Sequence, residues 1–282
     1  MNTKKFDTYV SPTWCPGCGN FGFFLALKQA FNKLGFTPDD ICLTYDIGCS
    51  SNMASFMKTY GFNGLHGRSL PAAVGISLVH HPLLVIAIAG DGGAYGEGLN
   101  HFIAACRANF NLTFIVINNQ LYSLTTGQTS PTTFKGRKTK STPFGAIEKP
   151  FNPLVSAILN HCSFVARGFS GNIPNLTNLI VKAIKHNGFA LIDVLGPCTT
   201  WNKKDQPFSW YKKRVYKLNK ENYSKEKAIH LALEEPKKLP IGIFYREKRA
   251  SYQGSLPQLK KQALIKQSIS KIDIKKLVEE FI

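Results

Sequence analysis

At 282 residues and 44% hydrophobic, the chain has enough apolar material for one large α/β domain or two small ones, which excludes disorder as its overall state. Its longest apolar stretch, Pro82 to Gly90, is far short of the roughly 20 residues that span a bilayer and runs into Asp91, so no membrane span is expected. The formal charge of +18 is concentrated at one end: 20 of the 35 Lys and Arg fall in residues 201–282, against 9 Asp and Glu, a surplus that a lysine-rich composition accounts for and that would also draw an acidic partner.

The first residues, MNTKKFDTYVSPT, hold two lysines but no apolar stretch of the signal-peptide kind, and the expected location is the cytoplasm. Seven cysteines, an odd number spread along such a chain, argue for reduced thiols rather than a disulfide framework, and reduced thiols are free to bind metal. The stretch WCPGCGN sets Cys15 and Cys18 at CxxC spacing, which suits a redox pair, half a zinc site or half an iron–sulfur site. Phe21 to Leu34 repeats apolar residues at helical spacing and is stopped by Gly35, and Ile41 to Ile47 reads as a strand ending at Gly48. After the Gly-rich turn GFNGLHGR, a helix is expected from Leu70 to Val79, opened by Pro71, then a buried strand from Leu83 to Ala89. Gly98 to Asn109 reads as a helix and Leu112 to Ile117 as a strand. Continuous apolar strands separated by helices mark parallel βαβ units, whose ligands gather beyond the carboxyl ends of the strands. That rule singles out Gly48-Cys49, Gly90-Asp91-Gly92 and Asn118-Asn119.

Residues 121–150 are rich in Thr, Ser, Gly, Pro and Lys and read as a long loop, a kind of segment that is usually functional or disordered. Helices are expected around Leu154–Leu159 and Leu176–His186, then a strand from Phe189 to Leu195 that ends at Gly196-Pro197-Cys198. Beyond Thr200 the chain turns basic and aromatic and closes with an expected helix over Lys271 to Phe281. With no internal repeat and no clear linker, the expected layout is an α/β unit over residues 1–200 with a basic C-terminal extension, 201–282, packed on it.

The GDG turn at 90–92 puts a carboxylate between two residues without a Cβ, so backbone can approach a ligand phosphate while Asp91 meets a cation. Asn119 ends the next expected strand, and adjacent parallel strands bring the two ends together. An acid and an amide oxygen there suit Mg²⁺, a hard cation that commonly keeps diphosphate oxygens in its shell.

GDG followed by NN resembles the thiamine diphosphate motif, which implies metal binding by Asp91, Asn119 and the Leu121 carbonyl. The ordered run WCPGCG (14–19), DIGCSS (46–51), GLHGRSLPAAVG (64–75), GDG (90–92) with GLNH (98–101), NNQLYSLTTGQTSPT (118–132) and GPC (196–198), with PIGIFY (240–245) near the end, is similar to the β subunit of 2-oxoacid:ferredoxin oxidoreductases. The resemblance implies a thiamine diphosphate-binding fold: α/β, a mainly parallel sheet flanked by helices, plus the C-terminal extension. It implies a [4Fe–4S] cluster on Cys15, Cys18, Cys49 and Cys198, although four thiolates taken alone would equally hold zinc. Ile47, Gly48, Cys49, Ser50, His66, Gly92, Gly93, Ser123 and Leu124 are then expected at the thiamine diphosphate, with His66 and Arg68 in catalytic positions beside it. Cys42, Cys106 and Cys162 are expected to be buried apolar residues.

The implied activity is coenzyme A-dependent oxidative decarboxylation of a 2-oxo acid to acyl-CoA and CO₂, with 2-oxoglutarate expected ahead of pyruvate and ferredoxin taking the electrons. A chain of this size lacks the second α/β unit that such enzymes use for the pyrimidine end of the cofactor, so a separate α subunit is expected, and neither nucleic acid nor membrane. The sequence departs from relatives at three places: Gly93 stands where many have Asp, Ser123 where Gly is frequent, and Asn52 where a basic residue is frequent. Two other readings remain: a non-redox thiamine diphosphate-dependent decarboxylase subunit, which needs no cluster thiolates, and a zinc-stabilised nucleic-acid-binding module, which leaves GDG, NN and HGR without a role.

Overall fold

The computed structural model describes residues 3–268, 270 and 273–282. In chain order its helices are α1 Gly19–Lys33, α2 Ser69–Val79, α3 Leu99–Ala108, α4 Pro153–Leu159, α5 Ile173–Ile184, α6 Phe208–Lys212, α7 Lys225–Ala232, α8 Tyr252–Ser255 and α9 Lys275–Glu279. Its strands are β1 Ile41–Tyr45, β2 Tyr60–Asn63, β3 Leu84–Gly90, β4 Leu112–Asn118, β5 Leu121–Tyr122, β6 Gln128–Thr129, β7 Phe164–Phe169, β8 Phe189–Leu195, β9 Val215–Lys217 and β10 Leu239–Arg246.

Eight strands form one sheet in the order β2-β1-β3-β4-β8-β7-β10-β9, parallel throughout except where β10 pairs antiparallel with β7, and β5 and β6 form a separate small hairpin. The central strands are apolar because both faces are covered. On α1, Phe23, Ala26, Leu27, Ala30 and Phe31 fall at helical spacing and bury one stripe, which meets Leu176, Ile180 and Ala183 of α5 over one face. The other face is covered by Leu70 and Ala73 of α2, Phe102 of α3, Leu154 and Ile158 of α4 and Leu231 of α7.

The differences from the sequence expectations have local causes. The first strand stops at Tyr45 rather than Ile47, because the chain turns at Gly48, whose φ of 139° is closed to other residues. Helix α5 begins at Ile173, where Asn172 accepts from the Asn175 N–H and Pro174 sits in the first turn. The 121–150 loop contains the β5–β6 hairpin. The expected C-terminal helix starts on Lys271, which lies outside the described residues, and α9 covers only Lys275–Glu279 of it. Strands β2, β7, β9 and β10 carry no clean apolar period; β7 has Arg167 at its centre and β2 is exposed along its length. Both β9 and β10 come from the 201–282 segment and join the main sheet rather than lying over it. No described helix is long and apolar enough to cross a membrane.

Candidate active site

The four sheet neighbours β1, β3, β4 and β8 end at one edge of the sheet, and each end carries one of the motifs: Asp46 to Ser50, Gly90 to Gly93, Asn118-Asn119 and Gly196 to Cys198. Parallel pairing places them side by side, Tyr45 opposite Ile88, Gly90 opposite Ile117, and Asn118 opposite Leu195. Helix α1 starts at the same edge: the Gly19 N–H donates to the Pro197 carbonyl at 3.0 Å, which brings Cys15 and Cys18 to the end of β8.

A cleft opens there. All nine residues expected at the cofactor line it: Ile47, Gly48, Cys49, Ser50, His66, Gly92, Gly93, Ser123 and Leu124. Asp91, Asn119 and Leu121 line it too. Arg68 does not; its side chain is exposed and donates from Nη1 to the Glu97 carbonyl at 3.0 Å. The cleft leaves polar atoms unmatched: His66 Nδ1 and Ser50 Oγ are buried without a hydrogen-bond partner. Gly92 and Gly93 begin the π-helical turn Gly93–Glu97, whose first N–H groups lack intrahelical partners and suit an anion. Bare backbone is required at both positions, since a Cβ on Gly92 would strike the Tyr122 ring and one on Gly93 would strike Asp46 Oδ2. Uncompensated donors, a bare glycine floor and a carboxylate fit a diphosphate bound with a cation.

Asp91 is held by the residues around it. Its Oδ2 accepts from the Ser130 hydroxyl at 2.5 Å and lies 2.7 Å from the Thr132 hydroxyl, and its Oδ1 accepts from the Asn119 N–H at 3.2 Å. Burial pushes its carboxyl up to about 6 against these donors. Asn119 turns back on itself, its Oδ1 accepting from the Leu121 N–H at 3.1 Å, because Gln120 between them adopts φ of 63°. That backbone costs a non-glycine residue about 1–3 kcal/mol. It is fixed by Gln206 Nε2 on Gln120 Oε1 at 2.6 Å and the Thr133 hydroxyl on the Gln120 carbonyl at 2.6 Å.

Cys15, Cys18, Cys49 and Cys198 all line a second cavity with Trp14 and Trp201. Cys49, Asn119, Ser123 and Leu124 line both cavities, so the two share a wall. Burial pushes the Cys18 thiol up to about 12, and the charges of Cys198, Cys49 and Cys15 add to the rise, which places all four within electrostatic reach of one another. Each sulfur faces a donor: Thr200 Oγ1 on Cys15 at 3.0 Å, Ser123 Oγ on Cys49 at 3.4 Å, the Trp201 N–H on Cys198 at 3.5 Å, and the Asn20 N–H on Cys18. The thiols ring a cavity rather than a point: among the described residues no three His, Cys, Asp or Glu side chains are gathered to hold a single metal ion. Cys42, Cys106 and Cys162 are buried in the core, as expected.

Sequence reasoning missed Tyr122, whose ring packs edge-on to His66 and whose hydroxyl donates to the Gly92 carbonyl at 3.2 Å. It also missed Ser130 and Thr132, whose only signal was a cluster of polar residues within the 118–132 motif. Asp46 was missed as well. It is buried at the end of β1, with Oδ1 accepting from Ser51 Oγ at 2.6 Å and Oδ2 unpartnered, in the space a side chain at position 93 would need.

Burial pushes the Asp46 carboxyl up to about 7, opposed by the Ser51 hydroxyl and the Gly90 N–H. A folded-state value above the unfolded 3.8 means that the folded chain holds its proton longer, so stability is lost as pH rises from about 4 through 7. Asp46→Asn is therefore expected to raise the melting temperature at pH 8 and leave it nearly unchanged at pH 4.5, with no thiamine diphosphate added. Equal gains at both pH values would show that Asp46 does not titrate in this range.

Residues 46–194 match the family described as thiamine pyrophosphate enzyme, C-terminal TPP binding domain, and residues 198–261 match the C-terminal family of the pyruvate ferredoxin oxidoreductase beta subunit. The chain is 43% identical to a 2-oxoacid:ferredoxin oxidoreductase subunit beta from Saccharolobus solfataricus over 84% of this chain and 83% of that one. It is 38% identical to a 2-oxoglutarate synthase subunit KorB from Archaeoglobus fulgidus over 85% of this chain and 87% of that one. A solved 2-oxoglutarate:ferredoxin oxidoreductase from Magnetococcus marinus, with 2-oxoglutarate, coenzyme A and succinyl-CoA bound, superposes with a TM-score of 0.91 at 30% identity, covering 99% of this chain and 96% of that one.

Proposed function

This chain belongs to the β subunits of 2-oxoacid:ferredoxin oxidoreductases, and from that premise we propose that it holds thiamine diphosphate with Mg²⁺ in the first cavity and a [4Fe–4S] cluster in the second. The observation that supports the proposal is the shared wall of Cys49, Asn119, Ser123 and Leu124, across which the two groups would lie side by side. The reaction is the coenzyme A-dependent oxidative decarboxylation of a 2-oxo acid, with ferredoxin as acceptor and the site completed by an α subunit. When bound, thiamine diphosphate supplies the electron sink that lets a 2-oxo acid lose CO₂, and a cluster accepts electrons singly.

The chain's own residues supply the rest. Asp91, the Asn119 amide and the Leu121 carbonyl are the oxygen donors for the cation, a set that suits Mg²⁺. The N–H groups at Gly92 and Gly93 and the unmatched Ser50 hydroxyl face the diphosphate. His66 lines the same cleft with its Nδ1 unpartnered and its ring braced by Tyr122. Ile117 and Leu121, both buried, line the cleft with apolar surface. The four thiols must be deprotonated to bind iron, so cluster assembly releases protons. The wall shared with the thiamine diphosphate cleft favours a cluster over a structural zinc, because only a cluster would take electrons from that cleft. With a cluster proposed, a non-redox decarboxylase would leave Cys15, Cys18 and Cys198 without a function.

The direct test is the reconstituted α–β complex with a viologen acceptor, coenzyme A and a panel of 2-oxo acids. Reduction that depends on coenzyme A, with kcat/KM higher for 2-oxoglutarate than for pyruvate, is expected. CO₂ release without acceptor reduction would favour the non-redox decarboxylase, and a higher kcat/KM for pyruvate would reverse the substrate preference.

A further inference from the structure

Within the 121–150 loop, residues 134–146 fold back on themselves: the Gly136 N–H donates to the Ala146 carbonyl and the Ala146 N–H to the Arg137 carbonyl, at 2.6 and 2.8 Å. This closure turns one side chain inward. Arg137 is only 7% exposed at its side chain, its Nη1 donates to Gln206 Oε1 at 3.0 Å, and its Nε is buried with no partner. Its one ion-pair partner among the described residues, Asp205, is 4.0 Å away and 61% exposed, which is weak compensation for a buried cation.

Besides Asp205, Tyr211 and Asp91, the groups around it include members of the four-thiol cavity. Arg137 Nη2 points at the Trp201 carbonyl at 3.5 Å, and the N–H of the same residue donates to Cys198 Sγ. Gln206, which aims the guanidinium, lines a recess together with Cys15 and Cys198. Arg137 and Cys198 also lie close enough for their charges to act on one another. A guanidinium keeps its proton in such a place, so the missing anion must come from outside its own hydrogen-bond set.

We infer that Arg137 is the buried counter-charge of the four-thiolate site, favouring the reduced, more negative state of the group held there. The inference rests on the reading of that cavity as a [4Fe–4S] site. Cluster potentials are set by net charge, burial and hydrogen bonding around the sulfurs, and a cation held out of water acts strongly on an added electron. A role confined to pinning the loop would be met by any residue that keeps the fold.

The test is a redox titration of the anaerobically purified holoenzyme, the cluster reduced by one electron from dithionite and followed by its electron paramagnetic resonance signal. Arg137→Gln is expected to lower the ratio of reduced to oxidised cluster at fixed poise by about tenfold, which for one electron is a fall in midpoint of about 59 mV. Arg137→Lys, which keeps the charge, is expected to stay near wild type, and so is Lys138→Gln, which removes an exposed charge one residue away. An unchanged midpoint in Arg137→Gln, or an equal fall in Lys138→Gln or Arg137→Lys, overturns the inference while leaving the cluster itself in place. Should Arg137→Gln fail to hold iron, Asp205→Asn carries the test: loss of the carboxylate 4.0 Å from Nη2 is expected to raise the midpoint, and no rise overturns the inference. A wild-type holoenzyme with no cluster removes both the underlying reading and this inference.

Discussion

Arg167→Met is expected to cost the fold about 3–5 kcal/mol, the usual penalty for stranding a buried charge. Arg167 is fully buried at the middle of β7, where Nε meets Asp193 Oδ2 at 3.3 Å and Nη2 meets Glu235 Oε2 at 2.7 Å. Methionine fills most of the volume, so the loss reports charge rather than a cavity. Asp193, fully buried on β8, would be left facing Tyr95 and Asn118 without its cation. The site is affected as well. Asn118 donates to Asp193 Oδ1 at 3.1 Å and presents its Oδ1 to the Thr132 hydroxyl at 3.0 Å, while that hydroxyl lies 2.7 Å from Asp91 Oδ2. The hydroxyl has one proton for two acceptors, so the orientation of Asn118 decides what Asp91 receives. A matching Asp193→Asn change should recover part of the stability in the double variant. Urea unfolding measures both, and a single-variant loss below about 1 kcal/mol would show that Asp193 is left without its cation at little cost.

Asp91→Asn is expected to weaken thiamine diphosphate binding and to stabilise the cofactor-free chain. On the binding side, removing a charged ligand of the proposed cation costs about 2–3 kcal/mol, roughly 30- to 150-fold in affinity. The stability effect has the opposite sign. The folded-state value of about 6 lies above the unfolded 3.8, so the cofactor-free chain loses stability as pH rises between those values and carries the full cost of an ionised buried carboxylate above them. An amide avoids that cost, a gain of about 3 kcal/mol at most near pH 7.5. Titration calorimetry with thiamine diphosphate and Mg²⁺, together with melts of the cofactor-free protein, separates the two. Weaker binding with a lower melting temperature would mean that Asp91 is a structural residue and not a ligand kept at the expense of stability.

The parts of the site legible in the sequence are those fixed by strand ends. Gly90-Asp91-Gly92 and Asn118-Asn119 follow apolar runs buried on both faces, so the end of the run locates the motif, and parallel pairing does the rest. Cys198 was legible for the same reason, after β8. Ser130 and Thr132 were not, because they reach Asp91 through the fold of a loop without periodicity. Strand β7 was hidden by Arg167, a charge that makes sense only beside Asp193 and Glu235, which lie far from it in sequence. His66 and Arg68 sit in one motif, yet Gly67 between them, with φ of 66°, turns the chain so that His66 faces the cleft and Arg68 faces Glu97. The C-terminal strands β9 and β10 were masked by the lysine-rich composition around them.

Iron and acid-labile sulfide per chain, with zinc in parallel, measured on protein purified under strict anaerobiosis, tests the central claim most directly. About four iron and four sulfide per chain are expected, lost when Cys198 is replaced by Ala. One zinc and no sulfide, persisting after an attempt to rebuild the cluster, would contradict it and leave a thiamine diphosphate site with no outlet for electrons.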